Sequence, residues 1–585
     1  RDEAAIDVIR MDDSSDEAVS RDLTLVVCVW EAPAVELHSS PSCHMAVFDI
    51  NRWYHSQMPA SIRDAMYGSK DPTCPFLSVY SLADILDTAN PDALIDVLVL
   101  PNDIERFSAA YGTLPEQFYW ASSLTFDAVC LMETGVVRAN FYGSQQQILN
   151  DLSRKGVAAL NEAHEYFHCC WTASLMPKNF DFSRAQEKTF QVEGLLSVAL
   201  EHNQTSFIIS CIQKLGQENV TYAGCDLRVI LLWAWDQVIQ IKQHLDQLCI
   251  PLFDGTGIFV DKQLIAILDH YSVQLGSLVD IFQALSSSAP TTERGLKELE
   301  SQNTVCFLLN QYLQVVLFFI KQRLLPELFD NNEDGELSSQ YYPGEVLGRK
   351  YGKRRKELQQ WNNDAHGSLM IDRIISTVTE NLNTNLWDAE NRWSELYPPP
   401  NLHALCSLVL QEKVNATSKL CIIYYALLDL CSLNPQFQTK KVAEKFAANF
   451  RLQPLLIKLF HGFWCLDHKD FDNALKYLAG SADQLTLAPW QNSHIIRLFL
   501  EQDESQKALL FIRSVKPAMS NPADVELHLS ALIKNDLVTK AFQFQRQCRD
   551  PVRRQELLEH FFFGCYKSKN TNKILKLPLN EVEEE

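Results

Sequence analysis

Apolar residues in the first part of the chain fall in short, β-branched and aromatic blocks. LTLVVCVW (residues 23–30) and MAVFDI (45–50), separated by a loop containing Pro, Ser and His, predict two strands of an antiparallel sheet. Further blocks at 76–80, 94–100 and 125–142, the last turning at Glu133-Thr134-Gly135, extend the pattern. Residues 1–149 therefore read as a β-rich region that is incomplete as a fold.

The period changes at about Asn150. Asn150-Asp151 can cap a helix, and Leu160, Ala163, Phe167 and Trp171 then recur at spacings of three and four, which places them on one helical face. Similar patterns fill 184–202, 226–248, 262–285, 293–325 and 369–382. The expected fold class is mainly α.

The C-terminal third repeats itself. LDHKDFDNALKYL (466–478), LEQDESQKALLFI (500–512) and IKNDLVTKAFQFQ (533–545) each carry an aliphatic residue eight positions before an Ala and an aromatic three after it. Ala474, Ala508 and Ala541 recur every 33 to 34 residues. That period accommodates one helix pair, with the small Ala permitting close approach of the two helices, and such pairs stack into a solenoid. Trp464, Pro489 and Trp490 supply bulk and a break between helices.

Composition narrows the function classes. With 585 residues, 46% of them apolar and 10% aromatic, the chain can bury substantial cores and is not disordered as a whole. A net charge of −21, with acidic clusters near both ends, makes it a poor general binder of phosphate backbones, so any nucleic-acid contact must be local. The 16 cysteines are scattered without a C-x-x-C pair, which predicts reduced, buried thiols. Val305 to Leu325, the longest apolar run, is interrupted by Asn310, Gln311, Gln314 and Lys321, and no transmembrane helix is expected. The N-x-T triplets at Asn203, Asn219 and Asn415 are read as chance, because no secretory stretch leads the chain. The first residue is Arg1 rather than Met, so the chain can be a piece of a longer protein.

Three constellations could carry chemistry. His164-Glu165-Tyr166-Phe167-His168 is an H-E-x-x-H string whose four-residue spacing would stack two imidazoles on one helix face beside a general base. A recognisable third ligand is missing: Ser174 stands where a third His would follow, and Glu187 and Glu193 lie on a separate predicted helix. Asp330, Asn332, Asp334 and Gly335 open like a calcium loop, but Tyr341 occupies the position of the bidentate Glu. Arg349, Lys350, Lys353, Arg354, Arg355 and Lys356 put six cations within eight residues. These are read first as a solvated helix face, and otherwise as a contact for an acidic partner or nucleic acid, or as a nuclear targeting signal. Gly348-x-x-x-Gly352-Lys353 is one residue short of a phosphate loop. No catalytic residue, cofactor site or metal site is expected, and the chain is not read as an enzyme.

The run from Phe463 to Leu475 (FWCLDHKDFDNAL), followed by Ala488-Pro489-Trp490 and the later helix pairs, resembles the helical domain of the ELYS family of nuclear pore proteins. The resemblance extends over the whole chain and is most specific at residues 370–560. It implies that residues 1–149 are the last blades of a β-propeller, 150–365 the first part of an α-helical solenoid, 366–577 the family's helical repeat domain and 578–585 an acidic tail. It further implies a structural nucleoporin attached to the Y-shaped scaffold subcomplex and linking pore assembly to chromatin after mitosis. Its places would be the nuclear envelope and pore, and chromatin and kinetochores in mitosis. Chromatin or nucleosomes would be held mainly through parts outside this chain, because the family's disordered tail with its DNA-binding hook has no counterpart here.

Overall fold

The computed structural model describes residues 5–11, 23–32, 42–57, 76–82, 94–109, 112–113, 121–133, 135–177, 180, 186–218, 224–254, 260–288, 292–326, 342–359, 369–379, 397–479, 487–519, 521–548 and 550–580. The chain divides into two compact units: residues 1–247 with 260–310, and residues 248–259 with 311–585.

The first unit begins with two antiparallel sheets. Strands β1 (Ala5–Met11), β2 (Leu23–Ala32), β3 (Ser42–Asp49) and β4 (Leu77–Ser81) form one sheet in sequence order. Strands β5 (Leu94–Val99), β6 (Leu124–Met132) and β7 (Val136–Phe141) form the other, with β6 in the centre and the two-residue strand Glu105–Arg106 also paired to it. The period of two along β6 buries Leu124, Phe126, Ala128, Cys130 and Met132 and turns Thr125, Asp127, Val129 and Leu131 the other way. Leu25, Val27, Met45 and Val47 of the first sheet join Val97, Val99, Phe126 and Cys130 of the second in one core. Each fully buried side chain of this size contributes about 1.5–3 kcal/mol.

Helices follow within the same unit: α1 (Ser144–Lys155), α2 (Ala163–Thr172), α3 (Lys188–Glu201), α4 (Thr205–Glu218), α5 (Leu227–Cys249), α6 (Lys262–Ser288) and α7 (Glu293–Lys321), of which α5 and α7 end in the second unit. Helix α3 is central, buried at Phe190 and at every position from Gly194 to Leu200. Its Gly194 permits close approach, since a Cβ there would lie 2.6 Å from the Phe167 ring of α2. Of the predicted stripe, Leu160, Ala163 and Phe167 are buried, while Trp171 is 48% exposed and Cys170 turns inward in its place. The short helix Ala158–Asn161 ends before α2 begins, so Leu160 belongs to a separate element.

The second unit carries α8 (Gly344–Gln359), α9 (Met370–Thr379) and α10 (Ala416–Leu433), then four helix pairs. The pairs are α11 (Pro454–Asp467) with α12 (Phe471–Ala479), α13 (Pro489–Glu501) with α14 (Ser505–Val515), α15 (Pro522–Lys534) with α16 (Val538–Arg546), and α17 (Pro551–Lys567) with α18 (Thr571–Ile574). Every first helix opens on a proline, where the missing N–H costs nothing. Every pair turns on a left-handed residue, Lys469, Asp503, Asp536 and Lys569, whose φ angles are 64°, 59°, 62° and 57°. A helix-terminating hydrogen bond accompanies each turn, from Asp470 N to Cys465 O and equivalently from Glu504, Leu537 and Asn570. The three repeat alanines are fully buried, as are Leu466, Leu500 and Ile533 eight residues before them. The fourth pair was hidden in the sequence because Ile574 stands in the place of the Ala.

Three helices, α6, α7 and α10, have the length and hydropathy to cross a membrane, which the expectation of none did not anticipate. Scattered polar residues do not lower a window average below that threshold. In the fold 39%, 56% and 67% of these windows are buried, and polar groups of α6 and α10 find protein partners. Gln274 of α6 donates to Glu201 at 2.8 Å, and the buried Lys419 of α10 donates to the Val409 carbonyl at 2.8 Å. Burial lowers the Lys419 ammonium to about 8.

Among the described residues no cysteine is joined in a disulfide, and most are buried, with Cys170, Cys211 and Cys306 pushed up to about 12 chiefly by desolvation. Two of the N-x-T asparagines have backbone roles: Asn203 takes a left-handed φ of 58°, and Asn415 caps α10 by accepting from Thr417 N at 2.9 Å. Asn219 lies outside the described residues.

Candidate partner surface and the buried polar network behind it

The six-cation run lies on α8, whose 3.6-residue period separates it into faces. Arg349, Lys353 and Lys356, at spacings of four and three, share one exposed face, with the exposed Lys350 at its edge. Arg349 is paired loosely with Glu345 one turn earlier, at 3.8 Å.

The other two cations are structural. Arg354 is buried; its Nε donates to the Asp467 carbonyl at 3.1 Å and its Nη1 to Gln502 Oε1 at 3.0 Å. Arg355 grips Asp372 of α9 with Nε–Oδ2 2.7 Å and Nη2–Oδ1 2.8 Å, and also donates to the Tyr397 carbonyl. Such a bidentate pair resists replacement by Lys. Of the sequence candidates for nucleic-acid or partner contact, four therefore face outward and two tie α8 to its neighbours.

Beneath α8 lies a network that sequence reasoning did not anticipate. Asp429 of α10 is fully buried and accepts from the hydroxyls of Tyr351 at 2.8 Å and Tyr397 at 2.5 Å and from Trp464 Nε1 at 2.9 Å. His468 stacks on Trp464 with ring centroids 4.1 Å apart and places Nε2 3.1 Å from Asp429 Oδ1. Asp467, at the end of α11, caps the start of α9 from a distance of nearly 100 residues in sequence: its carboxylate accepts from Met370 N at 2.7 Å, Ile371 N at 3.0 Å and the Tyr425 hydroxyl at 2.8 Å. Burial raises Asp467 to about 6 against the opposing pull of these donors. The same desolvation holds the hydroxyls of Tyr351, Tyr397 and Tyr425 well above their ordinary range. The available signal was a charge inside an otherwise apolar helix, as in Leu427-Leu428-Asp429-Leu430.

A cleft of about 190 Å³ opens where α8 meets the end of α11, lined by Lys350, Tyr351, Lys353, Arg354, Glu357, Asp467, His468 and Lys469. Lys469 pairs with Glu357 at 2.7 Å and, with Arg354, holds that carboxyl below its usual range.

The H-E-x-x-H string lies on α2, where His164, Glu165 and His168 are exposed and Phe167 and Cys170 point inward. His164 Nδ1 is 3.1 Å from Gln191 Nε2. Among the described residues no group of three His, Cys, Asp or Glu side chains is gathered as a metal set. The calcium-like segment from Asp330 to Tyr341 lies outside the described residues.

Two family profiles match this chain. One, the β-propeller of ELYS nucleoporin, covers residues 4–138, and the other, ELYS, nuclear pore complex assembly, covers residues 368–585. Protein ELYS of Homo sapiens is 33% identical over 580 residues, which is 97% of this chain and 25% of that protein. Protein ELYS of Xenopus laevis is 31% identical over 584 residues, 98% of this chain and 24% of that protein. The chain thus spans about a quarter of the curated relatives it matches. With propeller and helical profiles in the order of its strand-rich and helical regions, the chain belongs to the ELYS family of nucleoporins.

Proposed function

We propose that this chain is an architectural part of the nuclear pore that attaches to the Y-shaped scaffold subcomplex, and that the whole protein couples pore assembly to chromatin after mitosis. In this reading residues 1–149 are the last blades of a propeller, followed by a solenoid over 150–365, the family's repeat domain over 366–577 and a short acidic tail. The observation that carries it is the succession of strand-rich region and stacked helix pairs, with an ELYS profile on each. Stacked helices offer long surfaces to protein partners without needing a reactive centre. Attachment energy then comes from desolvated apolar and aromatic anchors rather than from net charge. The four outward cations of α8 serve as an auxiliary contact for an acidic neighbour or nucleic acid.

The test is to express the chain with a fluorescent tag and to purify its complexes. Enrichment at the nuclear rim together with scaffold nucleoporins is expected. Accumulation on endomembranes, without rim signal, would overturn the proposal in favour of a vesicle-coat or tethering subunit.

A further inference from the structure

A cleft of about 240 Å³ lies wholly within the first unit, between α3, α5 and α6. A single bound water needs about 10–15 Å³, so this space takes a whole side chain. Among the described residues no Lys or Arg lines it. The lining instead carries one carboxylate, Glu201, with the amides of Gln237, Gln240 and Gln263 and the rings of His244 and Tyr271. Nothing in it compensates a negative charge at full strength, and most of its polar groups can accept hydrogen bonds.

Glu201 is the last residue of α3, so the negative end of the helix dipole adds to its own charge. Its side chain is only 14% exposed. Oε2 accepts from Gln274 Nε2 at 2.8 Å and lies 3.4 Å from His270 Nε2, while Oε1 accepts from no described residue. A carboxylate held largely away from water with one oxygen unfilled favours a cationic donor. His244 and Tyr271 stack at 20° with ring centroids 6.0 Å apart, and the Tyr271 hydroxyl lies 3.3 Å from His244 Nδ1. A flat cation gains by lying against such rings. Gln240 donates its amide N–H to Asp236 at 2.7 Å, which leaves its oxygen to accept from a ligand. Carboxylate, flat rings and amide oxygens together match a guanidinium, which is planar and carries five donors, better than a compact ammonium.

We propose that this cleft binds an arginine side chain presented by a partner polypeptide. The guanidinium pairs with Glu201 Oε1, lies against His244 and Tyr271, and fills its remaining donors with the amide oxygens of Gln237, Gln240 and Gln263. The assignment goes beyond the pore reading and does not rest on it, since it uses only groups of α3, α5 and α6.

Ile241 and Ile267 also line the cleft, so their δ1 methyl signals report its occupancy in an NMR titration of residues 1–585. N-acetyl-arginine amide is added at about pH 8, above the range in which imidazoles ordinarily charge. Both signals should move with a dissociation constant on the order of a millimolar, as the contacts of one side chain allow. The neutral isostere N-acetyl-citrulline amide should bind at least about tenfold more weakly, and N-acetyl-lysine amide at least about threefold more weakly. Glu201→Gln keeps an acceptor for Gln274 while removing the charge, and should weaken binding at least about tenfold. Gln240→Lys sets an ammonium at an exposed position on the rim and should weaken it at least about threefold. Circular dichroism with melting temperature verifies that each variant is folded, and the exposed Gln240→Lys decides alone if Glu201→Gln is not. No shift up to about 20 mM arginine amide, citrulline or lysine amide binding as well as arginine amide, or unchanged affinity in either folded variant would each overturn the proposal.

Discussion

Asp467 concentrates several demands on one side chain. It sits at a helix end where a left-handed turn follows, supplies the cap for α9 and receives the Tyr425 hydroxyl, all away from water. Hydrogen bonds to a charged group contribute about 1.5–3 kcal/mol each, and losing the acceptor leaves buried donors unpaired. Asp467→Ala should therefore lower stability by roughly 3–5 kcal/mol, measured by chemical denaturation. The pH dependence has a defined sign. Burial lifts the folded carboxyl from 3.8 to about 6, so the folded state holds this proton more tightly than the unfolded chain. The stabilisation from that proton is present at acid pH and is lost as pH rises through about 6. The stability gap between wild type and Asp467→Asn should therefore widen when pH is lowered from about 7 to about 5. A gap that narrows would contradict this account of the site.

Among the elements, the repeated helix pair shows how a small residue sets geometry. Ala474, Ala508 and Ala541 are fully buried, as are Phe499 and Phe511 of the second pair, whose ring centroids lie 6.4 Å apart. Ala508→Trp inserts a large ring at such a site, so a loss of at least about 1–3 kcal/mol is expected, with a lower melting temperature for the chain. An unchanged melting temperature would mean that the pair can part without cost. The period of 33 to 34 residues was legible because Ala and the aromatic recur at fixed offsets. The fourth pair was not legible, because its equivalence rests on a backbone turn at Lys569 rather than on a recurring side chain. The helix boundaries of α3, α5, α6 and α7 also followed from apolar spacing. Of the four positions expected on one face, Leu160, Ala163 and Phe167 are buried and only Trp171 is exposed, with Cys170 turned inward in its place.

For the molecule as a whole, the six-cation run illustrates the division between sequence and tertiary structure. Replacing Arg349, Lys350, Lys353 and Lys356 together by Gln should leave the melting temperature nearly unchanged, because exposed charges contribute about 0–1 kcal/mol each. Any DNA affinity of the chain should fall with a shallower salt dependence, and recruitment to the nuclear rim should survive. Complete loss of rim signal from a folded, nuclear variant would place the main attachment on α8. By contrast Arg355→Gln should cost about 3 kcal/mol or more, because it strands Asp372 in the interior. The sequence by itself determined the order of β-rich and helical regions, the repeat and the family resemblance, because these rest on local periodicity and on contiguous motifs. Only the tertiary structure decided which cations face outward. It also brought Tyr351, Tyr397, Asp429 and Asp467 together. Burial and pairing of a polar or aromatic side chain depend on what distant segments place against it, and no local pattern carries that information.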